Sequence, residues 1–288
     1  MTTKVEEAPP RHVLTRAPGP GERNPRATRR RRRVLEVALA IAVPVVLLAA
    51  WQLAAQAGAI DPRLYPPPSA IALEFVRLSA GGQLAFETWV SVRRTLLGFV
   101  VGGAGGVAIG VLMGMSRWLR AALEPMLSAL YTVPKLALVP VFLSVFGLDD
   151  RSIVALIAVT VFFFVWISTM AAVMGVPVGY REAAATFRAS RWEMFRHVLL
   201  PAALPEVFVG LRIAAGVAVL MLVGVEFVVG DSGLGFLIQQ GRQLLLLGQT
   251  YVGIVVVAVF GYVFALLVRL AGRLLCPWAP EDNAHAPS

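Results

Sequence analysis

Apolar residues fall along this chain in long runs parted by short polar interruptions. The first run is Val34 to Ala57. The others are about Leu96 to Met115, a stretch within Leu119 to Phe146, about Ile153 to Val176, about Glu206 to Val229, and about Tyr251 to Leu275. A helix needs about 20 mostly apolar residues to cross roughly 30 Å of hydrocarbon. Each run therefore predicts one membrane span, and the chain predicts an all-α integral membrane protein of about six transmembrane helices.

The interruptions carry their own information. Pro62, Pro66, Pro67 and Pro68 make an extended stretch, because proline fixes φ and removes a donor. Ser69 then opens a short amphipathic helix with Ile71, Phe75 and Leu78 on one side, expected at the membrane surface. The third run is broken by Pro134 and Pro140, with Lys135 between them. The run from Gly230 to Gly235 is rich in turn residues, and a weaker amphipathic stretch follows it to Leu247. Inside the second run, Gly102, Gly106, Gly110 and Gly114 recur every four residues on one helix face. In lipid such a face lets another backbone approach closely, so it predicts tight helix packing.

The longest polar interruption runs from Tyr180 to Pro205. Glu182 to Arg196 contains neither Gly nor Pro. Ala184, Phe187, Arg191, Phe195 and Val198 recur at three- and four-residue steps, which predicts one helical stripe. Pro201 and Pro205 are expected to end that helix before the fifth span. A short helix of this kind either docks into a partner's groove or lies on the membrane and joins two spans.

Composition agrees with the pattern. Of 288 residues, 58% are hydrophobic and 15% charged, where soluble domains run near 25% charged. The net charge of +9 does not point to nucleic acid. Its excess lies in the tail from Arg11 to Arg33 and in loops between apolar runs, which is how membrane proteins set orientation. The run Arg29 to Arg33 stands directly before the first span and predicts that both termini are cytoplasmic. That first run also has the outline of a signal peptide, with Ala55-Gln56-Ala57 as a cleavage site. Its length and the spans after it favour a retained span. The predicted organisation is a disordered basic cytoplasmic tail over 1–33, a transmembrane domain over 34–275 and a short cytoplasmic tail over 276–288. A single cysteine, Cys276, excludes an internal disulfide and a Cys-based metal site, and the three histidines show no ligand spacing.

The segment around Glu182 resembles the EAA loop of ABC importer permeases. Glu182-Ala183-Ala184 and, after Arg188 and nine further residues, Val198-Leu199-Leu200-Pro201 carry the likeness. Arg188 stands where that family has glycine. Arginine resists the φ > 0 turn that glycine permits, so a more continuous helix is expected here. Leu64 to Ser69, Val133 to Pro140 with Phe146-Gly147, and Gly233-Leu234-Gly235 with Ile238-Gln239-Gln240 extend the resemblance to the nitrate/sulfonate/taurine branch. It implies a permease subunit that forms the pathway for a small anionic solute. It also implies an ATPase subunit bound through Glu182, Ala183, Ala184, Phe187, Arg188, Arg191, Phe195, Val198, Leu200 and Pro201. An external binding protein would deliver the substrate, and the chain itself would lie in the bacterial inner membrane. With the glycine face, it suggests a second copy of the chain. No G-x-x-x-x-G-K-[ST] phosphate loop occurs, so ATP and Mg are expected on the partner, no cofactor is expected on this chain, and this chain is not expected to be an enzyme.

Lys135 lies near the middle of the third span. A charge at that depth faces a cavity or a partner, or snorkels to an interface. Glu226 in the fifth span is its candidate partner, and Pro134, Lys135, Pro140 and Glu226 are the candidate pathway residues. Two other functions remain in view. A membrane-embedded enzyme needs a clustered acid pair, a Ser/His pair or a metal site within its spans, and no such motif occurs. An ion-driven secondary transporter is expected to show two related halves, and no internal repeat is visible.

Overall fold

The computed structural model describes residues 25–279, the side chains of 25–33 and Arg191 excepted. Most of the tail expected to be disordered, 1–24, lies outside the described residues, as does 280–288. Every element among the described residues is helical.

The chain forms two units, divided after Ile60. The first holds α1 (Pro25–Gln56), whose arginine run and apolar run share one helix. The apolar part, Val34–Gln56, is 23 residues long, enough for one span.

The second unit holds the remaining helices: α2 (Pro68–Ala80), α3 (Gln83–Met115) and α4 (Arg117–Thr132), then a 3₁₀ turn (Lys135–Leu138) and α5 (Val139–Phe146). After these come α6 (Asp150–Met174), α7 (Val178–Thr186), the single turn α8 (Arg191–Glu193) and a π-helical segment (Met194–Leu199). The chain closes with α9 (Leu200–Val229), α10 (Leu234–Gln243) and α11 (Leu247–Leu275). Among the described residues five helices are long and apolar enough to cross a membrane, and α4 with the 3₁₀ turn and α5 make a sixth if the pair, bent by 88°, is one span. The bend falls at Val133 and Pro134, and Pro140 sits in the first turn of α5, where its missing donor costs nothing.

The second span begins at Gln83, well before the expected Leu96. Its 33 residues reach about 50 Å at 1.5 Å per residue, longer than the roughly 30 Å of hydrocarbon. Arg93 and Arg94, which precede the expected start, are therefore part of the helix. The amphipathic helix α2 docks on protein: Leu78 is buried with Leu84, Leu234, Leu237 and Val252, and Ile71 packs at the edge of that cluster. Phe75 stays 45% exposed and is not part of that face.

The glycines of α3 form a seam with α6. A Cβ on Gly102 would lie 2.8 Å from the Ala158 carbonyl carbon, and one on Gly106 2.8 Å from Val165 Cβ. On Gly110 it would meet Thr169 Cβ at 2.6 Å, and on Gly114 Val173 Cβ at 2.6 Å. Real Cβ atoms do not approach so closely, so the two backbones touch only because these residues are glycine. The face is used up within one chain and carries no argument for a second copy. Against the other side of α6 lies α9, joined by Val161, Val165, Ala214, Ala218 and Leu222, none of them exposed.

Candidate functional site

The segment between α6 and α9 is built on a fixed base. Ala172, Val173 and Val176 at the end of α6 pack against Leu199, Ala203 and Val207. Arg181 of α7 donates to the Val173 carbonyl at 2.7 Å, satisfying an orphan acceptor at the end of α6. From that base α7 carries Glu182 and Ala183 on its exposed side and turns Ala184 inward.

The continuous helix expected from Glu182 to Arg196 is not present. The chain leaves α7 at Phe187, and Arg188 takes φ = +54°, the left-handed conformation that favours glycine. Helix resumes at Ser190 through a capping box: Ser190 N–H donates to Glu193 Oε2 at 2.8 Å, and Glu193 N–H donates to Ser190 Oγ at 3.2 Å. The bonds from Ser190 hold the Glu193 carboxyl below the usual carboxylate range. A turn that the resemblance assigns to glycine is thus made by arginine, because the packed base and the cap fix the chain on both sides.

The prolines do not end the helix. Pro201 cannot donate to the carbonyl four residues back, and the preceding turn widens to π geometry, with Leu200 N–H bonding Phe195 O. Pro205 lacks the N–H that would meet the Pro201 carbonyl. Trp278, beyond α11, supplies that bond from Nε1 at 3.0 Å. α9 then runs through both prolines to Val229.

These features enclose a cleft of about 600 Å³. Ala183, Ala184, Phe187, Val198 and Pro201 line it, together with Tyr180, Glu193, His197 and Trp278. Phe187 is 86% exposed. Phe195 does not join this lining; its ring lies 5.5 Å from that of Trp192. The single stripe expected from sequence is therefore split by the turn at Arg188, and the Arg191 side chain lies outside the described residues.

The opposite end of the helices holds a second cluster, missed by the sequence reading. Arg94, only 2% exposed, donates from Nη1 to Glu226 at 2.9 Å and to the Ser232 carbonyl at 2.7 Å, and from Nε to Asp150 at 2.7 Å. Arg93 pairs with Asp150 as well. Ser91 Oγ donates to Glu226, 2.9 and 3.0 Å from its two carboxylate oxygens. The same groups cap the start of α10. Gly233 N–H donates to Glu87 at 2.5 Å, Leu234 N–H to Ser91 at 2.8 Å, and Gly235 N–H to Glu226 at 2.9 Å. Carboxylates at a helix N-terminus meet both its orphan donors and its positive dipole end. Gly233, at φ = +103°, makes the turn, and a Cβ on Gly235 would come within 2.6 Å of Glu226 Cβ. A Gly-Leu-Gly sequence therefore lets Glu226 reach those amides.

Glu226 is thus the partner of Arg94, and the expected pairing with Lys135 is not found. Lys135 Nζ donates to the carbonyls of Leu130 and Tyr131. It also lies 4.7 Å from the Phe163 ring centre. It closes the open end of α4 at the 88° break. Pro134 and Pro140 are exposed beside it.

The family of binding-protein-dependent transport system inner membrane components matches residues 106–279. A Bacillus subtilis (strain 168) protein named as an aliphatic sulfonates transport permease, SsuC, is 36% identical over 82% of this chain and 86% of its own length. The taurine transport system permease protein TauC of Escherichia coli (strain K12) is 33% identical over 85% and 91%. The nitrate import permease protein NrtB of Synechocystis is 29% identical over 67% and 70%. Among solved structures, a chain of the MetNI methionine ABC transporter in inward-facing conformations superposes with a TM-score of 0.53 at 20% identity, over 66% of this chain and 92% of that one. A chain of an amino acid ABC transporter with histidines gives 0.54 at 18%, over 72% and 98%. At those identities the likeness is one of fold.

Proposed function

This chain belongs to the family of binding-protein-dependent transport system inner membrane components, and on that premise we propose that residues 178–201 are the surface through which a separate ATPase drives it. Membership makes the chain a multi-pass permease subunit of an ATP-binding-cassette importer, a transport component and not an enzyme. It sets aside the membrane-embedded enzyme and the ion-driven transporter. An ATPase and a substrate-binding protein are the partners such a subunit works with.

The observation that carries the coupling proposal is Phe187. It stands 86% exposed at a turn fixed on both sides, beside a cleft of about 600 Å³. An aromatic side chain held so far into water on a rigid base is what an interface anchor needs. Glu182 and Ala183 share the exposed side of α7, and Ala184, Val198 and Pro201 shape the cleft floor. Leu200, Arg188, Arg191 and Phe195 act through the backbone path and the helix behind it. ATP and Mg²⁺ belong to the partner. Phe187→Ala and Glu182→Ala should insert normally, lose about tenfold in capture of the ATPase, as for loss of 1–3 kcal/mol at a hot spot, and fail to transport. Normal capture and transport by both variants would overturn the assignment.

The run Arg29 to Arg33 directly before the first span supports a cytoplasmic placement for both termini and, counting spans from there, for this segment. A reporter fused after residue 190 should read cytoplasmic and one after 150 external. The broken span supports a pathway at Pro134, Lys135 and Pro140. Backbone that leaves helical geometry at membrane depth must be covered by protein or line a water-filled cavity, and here both prolines are exposed. A second copy of the chain facing that break would supply the other wall, and native mass measurement of the importer should find two copies. The substrate class proposed is a small anion of the sulfonate or nitrate kind, by likeness to the relatives named above. Competition among taurine, an alkanesulfonate and nitrate in an uptake assay would decide among them.

A further inference from the structure

Three arginines meet in a cleft that the coupling surface does not use. Arg212 comes from α9, and Arg269 and Arg273 come from the last two turns of α11. The cleft holds about 370 Å³. Among the described residues none of the three makes an ion pair or a side-chain hydrogen bond. Glu206 lines the same cleft and pairs with none of them, so the three guanidinium groups and one carboxylate leave two positive charges in surplus. At the floor, a Cβ on Gly272 would stand 3.0 Å from Phe208 Cβ, so α9 and α11 already touch and cannot close the space by moving together.

Arg269 and Arg273 alone would be ordinary helix-end charges that set orientation. Arg212 is not explained in that way. It is half-buried and stands twelve residues inside α9, about 18 Å from its start at 1.5 Å per residue. A charge placed so far along a spanning helix needs a counter-charge or water, and no carboxylate of the described chain supplies one. From the arginines toward the middle of α11, Leu270 is 42%, Leu267 57% and Val263 42% exposed, so exposed apolar surface borders the basic cleft. Guanidinium groups match phosphate oxygens with paired hydrogen bonds, and basic pockets between spanning helices take acidic lipid headgroups.

We propose that the cleft between α9 and α11 binds the phosphate of an anionic phospholipid, with Arg212, Arg269 and Arg273 on the headgroup and the acyl chains running toward the membrane interior along Leu270, Leu267 and Val263. The bound lipid supplies the missing counter-charge for Arg212. The proposal needs the chain only to span a membrane and does not depend on the coupling surface, so the two can fail separately.

The test is native mass spectrometry of the full chain in neutral detergent, titrated with phosphatidylglycerol or phosphatidylcholine. Phosphatidylglycerol should bind at least about tenfold more tightly, the scale of a few charge-assisted contacts. Changing all three arginines to Gln should reduce that preference to within about twofold, while changing all three to Lys should keep most of it. Arg242→Gln, an exposed arginine at the other end of the helices, should leave it unchanged. Short-chain phosphatidylglycerol should compete, and inorganic phosphate at the same concentration should not. Equal binding of the two lipids, the same loss from Arg242→Gln, or displacement by inorganic phosphate would each overturn the proposal. Unfolding temperature, measured on each variant, separates loss of lipid from loss of fold.

Discussion

The cluster around Arg94 and the turn at Arg188 lie at opposite ends of the same helices and treat an arginine in opposite ways. Arg94 is 2% exposed and every direction of its guanidinium is met, by Asp150, Glu226 and Ser232. Arg188 is exposed, and its importance lies in its backbone, held at φ = +54°. In the first region side chains fix the geometry of three spanning helices and the start of α10. In the second, packing beneath the loop fixes the geometry, and the side chains above it are left open. A permease driven by a separate ATPase needs both: an end that holds its shape without a partner and an end that presents unsatisfied surface to one.

The largest test of this contrast is at Arg94. Arg94→Met strands Glu226, which is 1% exposed, with no counter-charge. Breaking a buried pair from one side costs about 3–5 kcal/mol, enough to empty the folded population of a marginal protein. The variant should fail to accumulate in the membrane, and what is purified should aggregate at lower temperature. Adding Glu226→Met should recover part of the loss, since the carboxylate that Arg94 bonds directly and that is most deeply buried is then gone. If Arg94→Met alone accumulates like the parent, the cluster does not hold this end together.

The seam that joins the two ends should respond less. Gly102→Ala places a methyl group against the backbone of Ala158, which cannot rotate away. Overpacking of this kind costs about 1–3 kcal/mol, so the unfolding temperature should fall. Cysteine cross-links between α3 and α6 should slow as the helices part. The same change at Gly105, where a Cβ finds only the Phe162 ring, at 3.4 and 3.9 Å, should be close to neutral. Equal effects at both positions would mean that the seam is not limiting.

The two regions also differ in how much of them the sequence declares. The spans, the broken third helix and the glycine seam are legible because their signals are local: run length, proline and a four-residue repeat. The place of the polar segment between α6 and α9 is legible for the same reason. Arg94 is not. Its partners lie 56 and 132 residues away, and two adjacent arginines look like a loop to any measure of local hydropathy. Local hydropathy therefore starts the second span at Leu96 and leaves Lys135 as the apparent partner of Glu226. One signal was available, since Glu87, Ser91 and Arg94 recur at helical spacing just before the apolar run. The shape of that segment is hidden differently. Residues 182–196 have helical propensity throughout, and tertiary packing overrides it. The one local counter-signal was Ser190 three residues before Glu193, the capping box that starts a new helix.

The smallest effect concerns the turn itself, and it separates two accounts of Arg188. If the left-handed turn is imposed by the base beneath it, arginine is tolerated there at a cost, since a side chain at φ > 0 is strained by about 1–2 kcal/mol. Glycine removes that strain and loses about 0.5–1 kcal/mol through greater freedom of the unfolded chain. The two terms nearly offset, so Arg188→Gly should raise stability by less than about 1 kcal/mol or leave it unchanged, with ATPase capture kept. Arg188→Val should be worse than either, because a β-branched residue fits the left-handed region poorly. Ser190→Ala should loosen the same turn from its other side by about 1 kcal/mol, the usual worth of a cap. The Glu193 half of that cap is present above the ordinary carboxylate pKa and is lost as pH falls through its lowered one. Amide exchange across 187–194 at fixed pH reads all three variants. Protection should rise or hold in Arg188→Gly and fall in the other two. If Arg188→Gly instead loses protection and capture together, the arginine side chain holds the loop by a contact of its own, and the turn is not set from below.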